Sequence, residues 1–257
     1  MKLVYQFQAN LRKQAIQMKR YAPNTIAMVL TVYIIFISIF AGIQLIGNPE
    51  TQAVTIQYTI INYIFWYLAM MLVNGIGYQI MSETSEGTFE QLGMTPSGIW
   101  RILSMRLLGE WVLHSIMVVL LLFLSMLTTG QWLNIDIIAI LPIFLITSLS
   151  MYGLSFVIAG LTIVFKQIQA LLQIFQFVLA GLAFVSLSSI YYQLFLPITK
   201  GIAMIRAIMI DGYQITDFST MDFTLLIGNA LIYIIIGLSM YLCCESYAMK
   251  KGLLAHY

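Results

Sequence analysis

The sequence predicts an all-α integral membrane protein with six transmembrane helices, and three observations carry that reading. Hydrophobic residues make up 61% of the 257-residue chain and charged residues only 9%, against roughly a quarter charged in soluble domains, and the mean hydropathy is +0.92. Six stretches, roughly 25–46, 55–81, 106–128, 137–164, 169–190 and 223–244, are long and apolar enough to cross a hydrocarbon core, which takes about 20 residues of helix. None shows the alternation, over roughly ten residues, of a membrane β-barrel strand.

The chain opens on a basic amphipathic stretch. Leu3, Phe7, Leu11, Ala15 and Met18 recur at helical spacing, while Gln6, Arg12, Lys13, Lys19 and Arg20 fall elsewhere round the wheel. This predicts a helix over 1–22 lying in the inner membrane interface, its basic side chains near anionic headgroups; a disordered basic tail is the alternative. Pro23 disfavours helix at the residue before it, so Tyr21-Ala22-Pro23-Asn24 is expected to break the chain. The first span that follows is too long for a signal-peptide core and no small-residue cleavage site succeeds it, so it reads as a retained span.

Orientation follows from the basic residues, because Lys and Arg flanking spans stay in the cytoplasm. With both termini inside, Lys2, Arg12, Lys13, Lys19, Arg20, Arg101, Arg106, Lys166, Lys250 and Lys251 are cytoplasmic, and only Lys200 and Arg206 of the 12 lie outside. The net charge of +2 is accounted for by this topology, and no nucleic-acid partner is expected.

Between the second and third spans, 82–98 is expected to be a cytoplasmic segment. Glu83, Glu86 and Glu90 fall at helical spacing on one face with Gly87 and Thr88 between them, and acids that interrupt apolar sequence must meet water or a partner. A short helix that touches another protein and a solvated connector are both open readings. Thr95 is expected as N-cap and Pro96 as first residue of the next helix, with the third span rising from Ile99.

Polar residues within the spans are few. Arg106, Glu110 and His114 sit four apart, so Arg106 and Glu110 can pair. In the fifth span Lys166, Gln169, Gln173 and Gln176 share one face, either as helix-to-helix glue or as the lining of a wet or amphipathic path. Asn62 and Asn74 in the second span and Asn229 in the sixth read as glue. From 191 to 222, Pro197 breaks the chain and Ile198, Ile202, Ile205 and Met209 recur at helical spacing around Lys200 and Arg206. A pair of short outer half-helices is expected, with Asp211, Asp217 and Asp222 following on the outside. Cys243 and Cys244 are adjacent and are expected to be free thiols.

Several chemistries have no residues to carry them. There is no G-x-x-x-x-G-K-[ST] loop for ATP phosphates, and Gly-Lys does not occur at all. Two histidines and a vicinal cysteine pair do not compose a metal site, and no Gly-flanked serine accompanies His114 for a hydrolytic dyad. An enzyme is not expected.

The run Glu86-Gly87-Thr88-Phe89-Glu90-Gln91-Leu92, then Thr95-Pro96, Ile102-Leu103 and Arg106-Leu107-Leu108-Gly109, resembles the E-x-G-T-x-E-x-L…T-P…K-L-L pattern of ABC-2 type transporter permeases. Leu196-Pro197-Ile198-Thr199 with Arg206 resembles that family's outer segment, and the likeness covers nearly the whole chain. Arg106 stands where Lys is commoner, and Thr84-Ser85 replace the basic residue often found before the core. The resemblance implies that Glu83 to Leu92 is a coupling helix seated in a separate cytoplasmic ATPase that binds ATP and Mg. It implies two permease chains, as a homodimer, with two ATPase chains in a bacterial cell membrane. The second and fifth spans would line the interface and pathway with Asn62, Asn74, Gln169, Gln173 and Gln176, and Pro197 and Arg206 would belong to an outer re-entrant hairpin.

The expected function is export of a hydrophobic or amphipathic substrate, a peptide, bacteriocin or drug before a lipid or glycan. Two rivals stand beside it: an ion-coupled secondary transporter using Glu110, and a non-transporting membrane scaffold.

Overall fold

The structure, a computed structural model, describes residues 2–95, 98–184 and 189–252. Helix α1 (Lys2–Arg20) is separated from α2 (Ala22–Ile46) by Tyr21 alone. Pro23 falls in the first turn of α2, where its missing N–H costs nothing, so the expected four-residue break shrinks to one. α1 lies along the third span at Gly109, where an added Cβ would stand 3.0 Å from Gln14 Oε1. Its covered face carries Phe7, Leu11 and Met18 together with Asn10 and Gln14, whereas Ala15, expected on that face, is exposed.

Among the described residues, five helices are long and apolar enough to cross a membrane: α2, α3 (Gln52–Ser85), α5 (Ile99–Thr129), α6 (Ile137–Phe165) and α10 (Thr220–Lys250). The fifth expected span, 169–190, is helical as α7 (Gln169–Phe184) over 16 residues. Residues 185–188 of that stretch lie outside the described residues. α4 (Phe89–Gly93), α8 (Ile190–Phe195) and α9 (Thr199–Met209) are short, and a 3-10 turn covers Ile215–Asp217. No strand occurs among the described residues.

α3 is the axis of the bundle. Its most apolar stretch is 83% buried, against 11% for α2, and it packs on α2, α5, α6, α7 and α9. α3 is the least apolar of the candidate spans, with mean hydropathy 1.5 against 2.6 for α2; α2 can face lipid, whereas the polar side chains of α3, Asn62 and Gln79 among them, belong inside the bundle.

α6 and α10 approach until their backbones touch. Gly153 lies against the backbone of Tyr233, Gly237 against that of Gly153, and a Cβ on Gly160 would stand 3.1 Å from Tyr241 Cα. Small residues drive such contacts in membranes, where close packing replaces the hydrophobic effect.

Where outer half-helices are expected, the chain forms two short helices, α8 and α9. Ile198, Ile202, Ile205 and Met209 are all buried, and Gly201 lies against Thr147 of α6. The free carbonyls at the end of α8 are met from α10: Asn229 Nδ2 donates to Leu194 O at 2.6 Å and Leu196 O at 2.9 Å, and the Tyr233 hydroxyl donates to Phe195 O at 2.7 Å. Irregular backbone survives inside a bundle when protein covers it in this way. Ile198, between Pro197 and α9, has φ 63°, a left-handed conformation that costs a β-branched residue about 1–3 kcal/mol and that the surrounding packing holds.

Candidate functional site

α3 and α5 run antiparallel, and polar residues meet across them in successive rungs. Arg106 Nη1 stands 2.7 Å from Glu83 Oε1, Gln79 Nε2 donates to Glu110 Oε1, and Tyr67 and His114 Nδ1 are hydrogen-bonded at 3.0 Å. The expected pair of Arg106 with Glu110 is therefore corrected: the cation goes to the facing helix. Glu110 is turned toward Gly75, where a Cβ would stand 2.9 Å from its Oε2, so the missing side chain at Gly75 gives the carboxylate its room.

A polar cavity of about 420 Å³ opens where this ladder meets α1, walled by Asn10, Gln14, Gln79, Glu83 and Arg106. Gln14 Oε1, Gln79 Oε1, Glu83 Oε2 and Glu110 Oε2 are buried acceptors without a hydrogen-bond partner among the described residues. Buried oxygens of this kind ask for water or another donor.

The acidic segment is an elbow and not one helix, which corrects the expectation of Glu83, Glu86 and Glu90 on a single face. α3 continues through Ser85, Gly87 turns the chain with φ 69°, and α4 begins at Phe89. The Thr88 hydroxyl donates to Glu83 O at 3.2 Å and the Ser82 hydroxyl to Glu86 Oε1 at 2.8 Å, which ties the elbow to the end of α3. Phe89 is buried and Leu92 half-buried, so these two anchor α4, while Glu86 and Glu90 face outward with Gln91 and Met94. Thr95 does not cap the next helix: its hydroxyl donates back to Leu92 O at 2.7 Å, and Gly98, with φ 76°, is the N-cap of α5. Pro96 lies outside the described residues. A left-handed glycine thus stands on either side of α4, where any other residue is strained.

The remaining predicted positions lie elsewhere. On α7, Gln169 and Gln173 are exposed and Gln176 is half-buried, on the side where Ile174 and Phe177 are also open. Asn62, by contrast, is buried inside the bundle, and Asn74 is half-buried with its Oδ1 unpartnered among the described residues; the glutamines and Asn62 do not share a surface. Pro197 is buried at the hairpin turn. Arg206 donates from Nη2 to Ala183 O at 3.4 Å and stands 5.4 Å from the Tyr58 ring; burial lowers its basicity from the usual value. Lys200 pairs with Asp222 at 2.6 Å and donates to Gln193 Oε1 at 3.0 Å.

No protein-family model, curated protein or solved structure matches the chain. The functional reading therefore rests on the geometry and on the motif resemblance of Glu86 to Gly109.

Sequence reasoning did not find Gln79, Gly75 and Tyr67 as partners of the α5 stripe. Gln79 was the readable signal: it lies four residues before Glu83 in an otherwise apolar turn, the same spacing as Arg106 and Glu110. The hairpin role of Asn229 had no such signal, because its acceptors are backbone carbonyls 33 and 35 residues away.

Proposed function

We propose that the chain is the membrane-spanning permease subunit of an ATP-driven exporter, with α4 docked in a separate cytoplasmic ATPase that binds ATP and Mg2+. One observation carries the reading: the elbow offers the exposed carboxylates of Glu86 and Glu90 on a five-residue helix anchored by buried Phe89. Movement of a partner on α4 has a short route inward, because Glu83 at the end of α3 is ion-paired with Arg106 of α5.

The complex holds two copies of the chain and two of the ATPase, in a bacterial cell membrane with both termini in the cytoplasm. The open amides of Gln169 and Gln173 support a second copy, or the substrate path, against α7, since amides facing hydrocarbon require a partner. The α8–α9 hairpin with Pro197 and Arg206 is the outer closure. The substrate is a hydrophobic or amphipathic molecule, a peptide such as a bacteriocin or a drug. Hydrolysis belongs to the partner and not to this chain.

The test is to express the chain with its neighbouring genes, purify it in nanodiscs and assay vanadate-sensitive ATP hydrolysis. A stoichiometric ATPase with that activity is expected. A chain that purifies alone, without nucleotide dependence, sinks the exporter reading. The burial of Glu110 beside Gln79 would then favour an ion-coupled transporter.

A further inference from the structure

α5 and α6 stand apart along much of their length; Trp111 and Phe144 meet across the gap with ring centroids 6.1 Å apart. Beyond that contact lies a cavity of about 370 Å³, floored by Phe65 of α3 and Ile205 of α9. Its rim is open: Val119 and Phe123 on α5 and Leu141 on α6 are 52%, 44% and 51% exposed. Both rim helices are candidate membrane spans, so the opening faces lipid tails.

We propose that this groove holds a hydrocarbon chain of a bilayer lipid, entering sideways between α5 and α6. Apart from Ser115 and the Trp111 indole the lining is wholly apolar, with no charged side chain to meet a headgroup. Ser115 spends its hydroxyl on Trp111 O at 2.7 Å, and Trp111 Nε1 is a buried donor without an acceptor among the described residues. An extended peptide would carry unsatisfied backbone groups into such a slot, whereas an alkyl chain has none and restores the dispersion contacts that an empty slot forfeits. The length agrees: Trp111 to Phe123 spans about 18 Å of helix, close to one leaflet's half of a core about 30 Å thick. No residue of α7 lines the groove, so the proposal stands apart from the exporter reading.

Brominated lipid tails quench tryptophan on contact, and Trp111 closes the deep end of the groove. The chain has four tryptophans, so full-length protein carrying Trp66→Phe, Trp100→Phe and Trp132→Phe reports from Trp111 alone. A companion that keeps only Trp66, 7% exposed, serves as the reference. Both are reconstituted into phosphatidylcholine vesicles with and without bromine on the acyl chains. Trp111 is expected to lose most of its fluorescence in brominated vesicles while Trp66 keeps most of its own, and Val118→Phe, which fills the groove, is expected to restore Trp111. Should Val118→Phe fail to fold, Val119→Phe at the open rim makes the same test. Quenching of Trp111 no greater than that of Trp66 overturns the proposal, as would follow if a second copy of the chain closed the groove. Quenching that survives the filling substitution overturns it as well.

Discussion

Arg106 reaches across to Glu83 on the facing helix, 2.7 Å away, and leaves Glu110, one turn along its own helix, to Gln79. Only 12% and 18% of the two paired side chains is exposed, so removing one charge strands the other in a poorly solvated place. Glu83→Gln is expected to destabilise the protein by about 1–3 kcal/mol, read as a lower thermal unfolding temperature in detergent. The exchange Glu83→Arg with Arg106→Glu should recover part of the loss. Unchanged stability in Glu83→Gln would remove the pair from the structural account.

Charge reversal on the elbow addresses partner binding without disturbing the bundle. Glu86 and Glu90 are exposed, so Glu86→Lys with Glu90→Lys should insert and fold normally. It should weaken ATPase association by about tenfold, ~1.4 kcal/mol, and uncouple ATPase stimulation. Stimulation equal to that of the unaltered chain would exclude these carboxylates from the contact.

The glycine seam between α6 and α10 should tolerate almost nothing. A Cβ at Gly153 or Gly237 meets backbone and not a movable side chain, so Gly153→Ala or Gly237→Ala is expected to cost about 1–3 kcal/mol through overpacking. Gly181, which has nothing within 4 Å, supplies the control: Gly181→Ala should leave the unfolding temperature near its original value or raise it.

Asn229 holds the hairpin by two donated hydrogen bonds. Asn229→Leu leaves two carbonyls unmet, at about 1–3 kcal/mol for each buried group, and should loosen α8 before the bundle as a whole. A cysteine at Leu196→Cys would report this by faster reaction with a maleimide in the Asn229→Leu background; equal rates would show that Asn229 is not the latch.

The α7 amides give a separate readout. Gln173→Leu and Gln176→Leu should impair transport more than folding, measured as substrate efflux against yield of monodisperse protein. Normal transport in both variants would reduce the stripe to packing.

The helical membrane class was legible because hydropathy over a span is a local sum. The α9 face was legible for a similar reason, since Ile198, Ile202, Ile205 and Met209 repeat at helical period. Interactions between helices were not. Arg106 had an acid four residues away on its own helix, and nothing local could say that Glu83 on another helix stood nearer. The elbow was half readable: Gly87 sat in view, but helical spacing of three acids counts as a shared face only while the helix continues.

The seam at Gly153 has no layer of side chains to yield, so α6 and α10 have no freedom to slide against each other. Through Thr147 against Gly201, and through Asn229, they carry the hairpin as one body. The α3–α5 boundary differs, for its rungs are side chains that can change partners. A slip of one turn is about 5.4 Å. In one sense it would bring Gln79 level with Arg106, an amide beside a cation; in the other, Glu83 would come level with Glu110, two carboxylates in a poorly solvated place. Either slip breaks the pair of Arg106 with Glu83, so the ladder holds a single register.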